Sequence, residues 1–463
     1  MRKSVIFSVL FLLITVLIVS CEYRGKGTND KPATRDEKVE KKSKLDSLAN
    51  VPVKADRITE EVLWQFGREF DANLSPDGKF IVYCIKRYDA ATNKSYTDIF
   101  KVPAGEGEPV QLTDFVGAEV NPRWSSDGYR IYFLSNESGS MQIWCMNSDG
   151  SNKQQISNIE GDINSFEMSP NGDKVLFTMD VKTDETPNEK YPDLPLASVR
   201  MFDDLMPRHW DHWHDYKYSH IFVADFDGNE VSNEKDIMPG EKWDAPLSPW
   251  FDNTEIKWST DGKYIAYTCK KMTGKEYALS TNSDIYLYNV ETGETKNMTE
   301  GMPGYDKYPV FSPDATKMSF ISMETPGYES DKERLFVLDI NTGEKKYISD
   351  NFDQNVSNVH WIDNENLYCI SGINATYQIY KVNIKTKEFK QITSGWHDYT
   401  SIDYQNGVLI GEKMSMSMAT EIFSINDSGK ETQLTFINKN IYDHVNWVLY
   451  RKDGLKQQMI RIC

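Results

Sequence analysis

The chain has 463 residues, a net charge of −18 and an aromatic content of 12%. This length suits one large domain or two ordinary ones. No basic stripe interrupts the acidic balance, which argues against a nucleic-acid partner. The composition excludes little else, because an acidic surface mostly serves solubility.

The N-terminus is typical of an exported, lipid-anchored protein. Two basic residues precede an apolar run, 5–19, that is too short to be a dependable permanent membrane span. The tetrapeptide IVSC at 18–21 resembles a bacterial lipobox, in which Cys21 is acylated and becomes the mature N-terminus. We therefore predict a lipoprotein signal peptide over 1–20 and a location in the bacterial cell envelope, facing the periplasm or the outer-membrane surface. The alternative is an ordinary signal peptide with an incidental cysteine.

Residues 21–57 are rich in Lys, Glu, Asp, Ser and Thr and contain almost no aromatic side chains. Such a segment has too little apolar surface to offset the entropy of ordering. It predicts a flexible tether that begins at the lipidated Cys21.

A four-strand unit returns seven times over 58–444. Each unit starts with a short strand that enters a polar turn, and an apolar strand such as FIVYCIK follows the turn. The turns are SPDG at 75–78, SSDG at 125–128, SPNG at 169–172, STDG at 259–262 and SPDA at 312–315, with weaker copies at 363–365 and 405–407. A third strand and a short fourth segment complete most units. The fourth segments read VQLTD, QQISN, KNMTE, KYISD, KQITS and TQLTF.

A period of about 40–50 residues with four strands per unit is typical of a β-propeller blade. Asp-Gly and Asn-Gly supply the positive φ that tight hairpins need. One four-stranded sheet buries too little apolar surface alone, whereas sheets stacked radially bury each other's faces. The sequence therefore predicts an all-β fold, a seven-bladed propeller of four-stranded antiparallel sheets. An open array of β-sandwich sheets is the alternative.

One long insertion, 181–219, interrupts the third unit. It is rich in aromatic residues, and with His220 it holds four of the seven histidines. Long loops in compact domains are commonly functional. Its arginines could grip a peptide's termini together with nearby carboxylates at the mouth of the propeller. The residues of this candidate peptide site are Arg200, Asp203, Asp204, Arg208, His209, Trp210 and Asp211.

Two other interpretations of the insertion remain open. Three histidines, His209, His212 and His214, could bind a transition metal with neighbouring aspartates, although their spacing does not fit a helix-borne pair. The segment could also be a packed hairpin extension whose Trp and His side chains cover a neighbouring surface. No other feature supports a metal, so we predict neither a metal nor a cofactor.

The common catalytic motifs are missing from this sequence. It contains no G-x-S-x-G nucleophile elbow, Walker loop, G-x-G-x-x-G, H-E-x-x-H or EF-hand loop. No CxxC pair or zinc-type spacing occurs either. The sequence therefore predicts no catalytic residue.

The lipobox, the stretch WQFGREFDANLSPDGKFIVY at 64–83, the SPDG-type turns and RHWDHWHDYKYSHIFVAD at 208–225 together resemble one family. They are similar to the β-propeller half of bacterial S9-family serine peptidases, the prolyl oligopeptidase relatives that include dipeptidyl and acylaminoacyl peptidases. The resemblance covers roughly 58–444. It implies a propeller that caps a following α/β-hydrolase domain with a Ser-Asp-His triad, restricts access to short peptides and shapes the substrate's N-terminal subsite.

None of that triad can be carried over to this sequence. The resemblance implies that peptides or a hydrolase domain bind at the propeller mouth, and that the membrane is reached only through the lipid anchor. The alternative is a stand-alone Tol-type envelope propeller that recruits a partner protein. A lyase-type or sugar-active propeller would need carboxylates or metal ligands clustered on the central axis.

The tail, 445–463, matches neither a blade nor a hydrolase. With one permitted choice of codons and a shifted frame it reads QLGTVQKRWIKTTDDKNM, which resembles the linker and first strand that lead into the hydrolase domain. We therefore expect a frameshift that truncated a longer peptidase gene, and a chain that does not hydrolyse peptides alone. DNA downstream that encodes a G-x-S-x-G serine would support this expectation.

Overall fold

Seven four-stranded antiparallel sheets follow one another along the chain. The computed structural model describes residues 43–446. Cys21, the predicted signal peptide over 1–20 and all but the first two residues of the tail 445–463 lie outside the described residues. The sheets confirm the predicted seven-bladed propeller, because each takes its four strands from one repeat.

The blades take their strands in chain order, except that a small two-stranded hairpin, β11 and β12, interrupts blade 3. The strands of blades 1 to 3 are β1 (Arg68–Leu74), β2 (Phe80–Asp89), β3 (Lys94–Pro103) and β4 (Val110–Gln111); β5 (Glu119–Trp124), β6 (Arg130–Ser135), β7 (Gln142–Asn147) and β8 (Gln154–Gln155); β9 (Ser165–Met168), β10 (Lys174–Lys182), β11 (Arg208–His209), β12 (His212–Trp213), β13 (Lys217–Phe226) and β14 (Val231–Asp236).

Blades 4 to 7 keep the uninterrupted pattern. Their strands are β15 (Ile256–Trp258), β16 (Tyr264–Cys269), β17 (Asp284–Asn289) and β18 (Thr295–Asn297); β19 (Asp306–Phe311), β20 (Lys317–Ser322), β21 (Arg334–Asp339) and β22 (Lys345–Tyr347); β23 (Val356–Trp361), β24 (Asn366–Ile373), β25 (Thr376–Asn383) and β26 (Glu388–Gln391); β27 (Asp398–Gln405), β28 (Val408–Ser415), β29 (Met418–Ile425) and β30 (Glu431–Gln433). The short helices are α1 (Lys44–Ala49), α2 (Glu60–Gln65), α3 (Pro187–Lys190), α4 (Gly274–Leu279) and α5 (Lys439–Tyr442).

The polar turns work as their sequence predicts. In blade 1 the Ser75 hydroxyl donates to Asp77 Oδ1 at 2.6 Å and accepts from the Phe80 backbone N–H at 3.0 Å. Gly78 closes the turn at φ +72°, a conformation that favours glycine. Ser125, Ser259 and Ser312 donate to the equivalent aspartates at 2.5–2.7 Å. The S-x-D-G motif is therefore a self-bonded hairpin between the first and second strands of a blade.

A hydroxyl in the fourth segment ties it to the third strand in six of the blades. Each hydroxyl accepts a hydrogen bond of 2.8–2.9 Å from a buried backbone N–H of the third strand. The acceptors are Thr113, Ser157, Thr299, Ser349, Thr393 and Thr435. In blade 3 the chain places Met238 at this position, after Ile237, whose N–H bonds to the third strand at 3.0 Å as in the other blades. The bond from the third-strand N–H to the Thr or Ser hydroxyl, which six of the blades have, is called the hydroxyl clamp below.

Apolar packing closes the ring. Seven clusters of buried side chains lie at seven interfaces, one between each pair of neighbouring blades. The cluster between the last and first blades joins Ile410 and Ile422 to Ile81 and Tyr83, which are almost fully buried. The sheets therefore bury each other's faces, which is the reason for expecting a ring of blades.

Within residues 43–446 the seam between blades 7 and 1 is held without an exchanged strand, because all four strands of these two sheets are consecutive in the chain. Instead, the Asn438 side chain makes two 2.8 Å bonds to the backbone of Gly67. Segments that flank the ring also meet, since Asn446 N donates to Asp56 O at 2.7 Å. Side-chain and loop contacts therefore close the seam.

Part of the predicted tether is packed structure. Within 21–57, residues 43–49 form α1 and its cap, and Leu45 is 2% exposed against blade 1. Lys44 forms a 2.8 Å ion pair with Asp89 of β2. The segment is mostly polar, but its few apolar side chains are enough to pack a short helix against blade 1. The flexible-tether prediction is therefore wrong for this part.

The ring has two distinct faces, because the strands of each blade alternate in direction. The turn face carries the turns between the first and second strands, and its neighbouring turns contact one another; Asn406, for example, donates to Asp77 O at 3.0 Å. The insertion face carries the loops between second and third strands, including 183–216, and the connections between blades, such as 237–255. Both ends of the ring, near Gly67 and Leu434, also emerge there.

Candidate functional site

The first strands of the blades surround the central axis. Those of successive blades contact each other, for example β1 with β5 and with β27. Near the turn face, each carries a half-buried residue directly before a large side chain. These seven residues, which we call the collar, are Asn73, Arg123, Glu167, Lys257, Val310, His360 and Asp403.

Polar contacts between neighbouring blades involve each charged or titratable member of the collar. Arg123 contacts Asp71 of blade 1 at 2.8 Å, and Lys257 lies 3.5 Å from Glu167 of blade 3. His360 lies 3.8 Å from Asp403 of blade 7, and burial lowers the pKa of this imidazole. The axis is therefore lined by charged side chains of both signs. Their arrangement around the axis could not be deduced from the sequence alone.

Tryptophans next to the collar fasten neighbouring blades. Trp124, Trp258 and Trp361 each donate the indole N–H to a backbone carbonyl in the first strand of the preceding blade, at 2.9–3.2 Å. The collar is thus held on strands that are fixed to one another.

The insertion extends from the longest hairpin of blade 3. Strands β10 and β13 pair without interruption from Lys174 with Asp225 to Lys182 with Lys217. The chain between them, 183–216, leaves the sheet on the insertion face. Thr183 N donates to Tyr216 O at 3.2 Å, which closes the base of the insertion.

The hairpin of β11 and β12 displays an arginine–aromatic cluster. Arg208 and Arg200 lie over the Trp213 ring, with guanidinium-to-centroid distances of 5.5 and 5.8 Å. Phe202 stacks between Trp213 and Tyr216 at 6.1 and 5.6 Å. Both arginines remain exposed, so each can bind an anion while its position is limited by the ring.

The tip of this hairpin leans on the connection to blade 4. His209 packs edge-on against Trp210, which in turn packs edge-on against Trp250 at 5.0 Å. Trp210 is 63% exposed and Trp250 is 70% exposed. With Leu196, which is 97% exposed, they leave apolar surface on the insertion face, and exposed apolar patches commonly mark interaction sites.

The predicted peptide-site residues all lie on this exposed segment, but they form more than one group. Arg200 and Arg208 meet at Trp213, whereas Asp211 pairs with His212 at 2.6 Å at the hairpin tip. Asp203 and Asp204 are exposed on the preceding loop. Whether these groups bind a peptide stays a prediction.

The histidines of the insertion do not converge. His209 pairs with His212 across the hairpin, whereas His214 turns inward, accepts the Tyr216 N–H at 3.1 Å and packs 4.7 Å from Tyr218. Within 43–446, no group of three or more His, Cys, Asp or Glu side chains is arranged to hold a metal ion. The metal alternative therefore gains no support from the described residues.

One buried imidazole beneath the insertion was not singled out by the sequence. His220 is fully buried, with Nδ1 at 2.8 Å from Asp236 Oδ2 and Nε2 at 3.0 Å from Glu241 O. Burial opposes its charge, yet the bond and attraction to Asp236 outweigh that effect and raise its pKa. The available signal in the sequence was a histidine in the third strand of the one blade whose fourth segment lacks the clamping hydroxyl.

Comparison with curated proteins finds homologous dipeptidyl peptidases. A dipeptidyl-peptidase 5 of Porphyromonas gingivalis is 40% identical over 87% of this chain and 59% of its own length. A dipeptidyl-peptidase 5 of Porphyromonas endodontalis is 38% identical over 83% of this chain and 56% of its own length. The chain thus spans less than two thirds of the length of these relatives.

Solved structures share the fold. An acylaminoacyl peptidase of Pyrococcus horikoshii aligns with a TM-score of 0.63 at 18% identity, over 83% of this chain and 55% of the other. The β-propeller domain of the Trilobed protease of Pyrococcus furiosus, described as having an open velcro topology, aligns with a TM-score of 0.53 at 18% identity, over 81% and 99%. The model of the TolB beta propeller domain matches residues 61–189 and 211–443. Because this match covers most of the chain, the chain belongs to the TolB β-propeller domain family.

Proposed function

We propose that this chain is the propeller of an S9-type serine exopeptidase, in which it covers a hydrolase domain and limits access to short peptides. The observation that carries this proposal is the 40% identity to a dipeptidyl-peptidase 5 over 87% of the chain. That relative is longer, and the part of it that this chain does not match would correspond to the catalytic portion. Residues 43–446 would then bind and select peptides rather than cleave them.

The insertion face is the side that we assign to the hydrolase domain. Both ends of the ring emerge there, so a domain joined to the last blade starts on this side. The exposed Leu196, Trp210 and Trp250 supply apolar surface for an interface.

Within this arrangement the insertion would contact the substrate. Arg200 and Arg208 are exposed and limited in position by Trp213, which suits recognition of a carboxylate. Asp203 and Asp204 supply negative charge nearby, which suits a peptide's amino terminus. The insertion would thereby favour peptides short enough to present both ends.

We further propose an envelope location through acylation of Cys21, which the lipobox-like sequence supports. Among residues 43–446 the structure contains no helix with the length and apolarity needed to span a membrane. Incorporation of labelled palmitate in the producing bacterium, lost in Cys21→Ala, tests the anchor. Label retained in Cys21→Ala would contradict acylation at this residue.

A fusion tests the peptidase assignment directly. We would join residues 43–446 to the hydrolase portion of the Porphyromonas gingivalis relative and assay a fluorogenic dipeptide alongside a long peptide. We expect the fusion to cleave the dipeptide in preference, and the propeller alone to bind it without cleavage. In Arg208→Ala, loss of a charge-assisted contact should lower kcat/KM about tenfold or more for a short peptide whose C-terminal carboxylate is free, and less for the fluorogenic dipeptide, whose carboxyl group is blocked.

Arg68→Ala is the matched control for that variant. Arg68 is also an exposed arginine over aromatic rings, Trp64 and Tyr88, but it lies on blade 1. Equal losses in the two variants would contradict a substrate role for the insertion. A fusion with full catalytic activity toward long peptides would contradict gating.

The second candidate is a stand-alone module that recruits a protein partner, and the match to the TolB beta propeller domain favours it. The same reagents separate the two functions. If the chain alone captures one envelope protein at nanomolar affinity and the fusion never cleaves dipeptides, the module is the better assignment.

A further inference from the structure

The seam between blades 1 and 7 buries a pair of carboxyl groups. Glu69 in β1 is 6% exposed and Glu412 in β28 is 8% exposed. The two side chains lie within hydrogen-bonding reach of each other. Neither carboxyl oxygen of Glu69 receives a hydrogen bond from the described residues. Two ionised carboxylates in such a position would lose hydration without compensation, so a proton between them is the simplest way to satisfy both.

The position of that proton follows from the partners of Glu412. Its Oε1 accepts the Ala72 backbone N–H at 2.9 Å, a bond that crosses from blade 7 to blade 1. Glu412 is therefore the better acceptor of the pair. Glu69, whose oxygens have no other donor, is the side chain that carries the proton and donates it.

The other charged groups around Glu69 favour retention of this proton. Burial is the main cause that raises its pKa well above the ordinary value, and the negative charges of Glu412, Glu421 and Asp71 add to it. Arg87 of β2 is buried nearby, but it donates to the carbonyl groups of Gln65 and Ile437.

Two neighbours complete the surroundings. Glu421 of β29 accepts the Thr435 hydroxyl at 2.6 Å and the Ile437 N–H at 2.9 Å, so its carboxyl group is satisfied. The Tyr83 hydroxyl of β2 is buried without a partner among the described residues, and burial raises its pKa. Neither neighbour neutralises Glu69.

This seam is where the ring depends on side chains. Among the residues that the structure describes, no strand from one end of the ring completes the sheet at the other end, so contacts such as the bond from Ala72 to Glu412 join the two blades. A change of charge here acts on the closure of the whole ring, whereas the same change within a sheet would act on one blade.

We propose that Glu69 and Glu412 form a proton-operated clasp: one shared proton fastens blade 1 to blade 7, and release of that proton to solvent loosens this seam in preference to the others. The folded chain then binds a proton that the unfolded chain releases above the ordinary carboxyl pKa. The clasp therefore contributes stability at acid pH and loses it as the pH rises through the raised pKa.

Thermal unfolding of Glu69→Gln against the native chain tests the clasp. The amide is neutral at every pH and can donate to Glu412 as the protonated acid does. We expect equal Tm values near pH 5 and a Tm of the variant roughly 2–4 °C higher near pH 9. Asp98 and Asp306, whose pKa values burial raises to about 8 and about 7, titrate in both proteins, so the difference isolates Glu69.

Glu108→Gln on the same blade is the control, because Glu108 is exposed; its Tm should follow the native curve. Parallel curves for Glu69→Gln and the native chain would overturn the clasp. Should Glu69→Gln fail to fold, Glu412→Gln is the second variant: its amide can accept from Ala72 and donate to Glu69, so Glu69 no longer needs a proton to bridge the seam, and the fall in Tm between pH 5 and pH 9 should be smaller than in the native chain. An unchanged fall would overturn the clasp.

Hydrogen exchange tests whether the effect is local to the seam. After correction for the intrinsic rate, we expect faster exchange in β1 and β28 of the native chain near pH 9 than near pH 5, and no such change in β24 or β25, which carry no carboxyl or imidazole group. In Glu69→Gln the seam strands should lose this pH dependence. Uniform loosening of all blades would overturn the assignment to the seam.

Discussion

Blade 3 and the other six blades hold the fourth segment to the third strand with different side chains. In the six, a Thr or Ser hydroxyl of the fourth segment accepts a buried N–H of the third strand, as in Thr299 with Ile285 at 2.9 Å. Blade 3 has Met238 at that position. There, the buried His220 bridges Asp236 and the carbonyl of Glu241 instead.

This difference indicates how a blade can support a long insertion between its second and third strands. The hydroxyl clamp ties only the third strand and the fourth segment, whereas His220 also holds the start of the 237–255 connection, as Gln142 and Gln378 do for the connections after blades 2 and 6. Asp244 extends this hold, since its carboxylate accepts Ser219 N at 2.8 Å. Further along the same connection, Trp250 meets Trp210 of the insertion. The exceptional blade therefore replaces a local bond with a network that reaches the insertion face.

Removing the centre of that network should have the largest effect. In His220→Ala the Asp236 and Glu241 groups lose their buried partner and a cavity forms, so we expect the free energy of unfolding to fall by about 2–4 kcal/mol. Because the pKa of His220 is raised, its contribution is present at acid pH and is lost as the pH rises through the raised pKa. Urea unfolding at several pH values measures both effects.

The exposed His444 supplies the control for this substitution. His444→Ala should change the unfolding free energy by less than about 0.5 kcal/mol. If His220→Ala were as mild as His444→Ala, the network would not be what holds blade 3, and the comparison of the blades would fail.

A smaller effect is expected at a hydroxyl clamp. Thr299→Val keeps the shape of the side chain but leaves the buried Ile285 N–H without its acceptor. An unsatisfied buried donor costs about 1–3 kcal/mol, and we expect the free energy of unfolding to fall by an amount at the lower end of that range. Thr299→Ser retains the acceptor and should lose less. Urea unfolding distinguishes the two variants. A Val variant no less stable than the Ser variant would show that the clamp contributes no stability.

The regular part of the molecule was predictable because its signals are local. The turn at 75–78 is stabilised by hydrogen bonds within its own hairpin. Six of the fourth segments carry the Thr or Ser whose hydroxyl accepts from the third strand, as Thr113 does. Seven such units imply the ring. Cys84, Cys145, Cys269 and Cys369 are free and buried inside strands.

The site was less predictable because it depends on contacts between distant segments. Lys257 and Glu167 come together only when blades 3 and 4 pack side by side, and nothing local announces the pair. Glu69 and Glu412 meet only across the closed seam. For the insertion, the sequence singled out the candidate residues, which stay a prediction, but it could not show that Arg200 and Arg208 share Trp213.

The smallest effect is expected at the tip of the insertion, where exposure leaves little to lose. Trp210→Ala removes a side chain that is 63% exposed and contacts Trp250 mainly by its edge, so the unfolding free energy should change by about 0.5 kcal/mol or less. Tyr216→Ala, by contrast, removes a ring that is 8% exposed and stacked on Phe202 at the base, and it should cost about 2–4 kcal/mol. Thermal unfolding of both variants locates the boundary between the part of blade 3 that supports the fold and the part that is free to bind. A large loss in Trp210→Ala would place the tip within the supporting part.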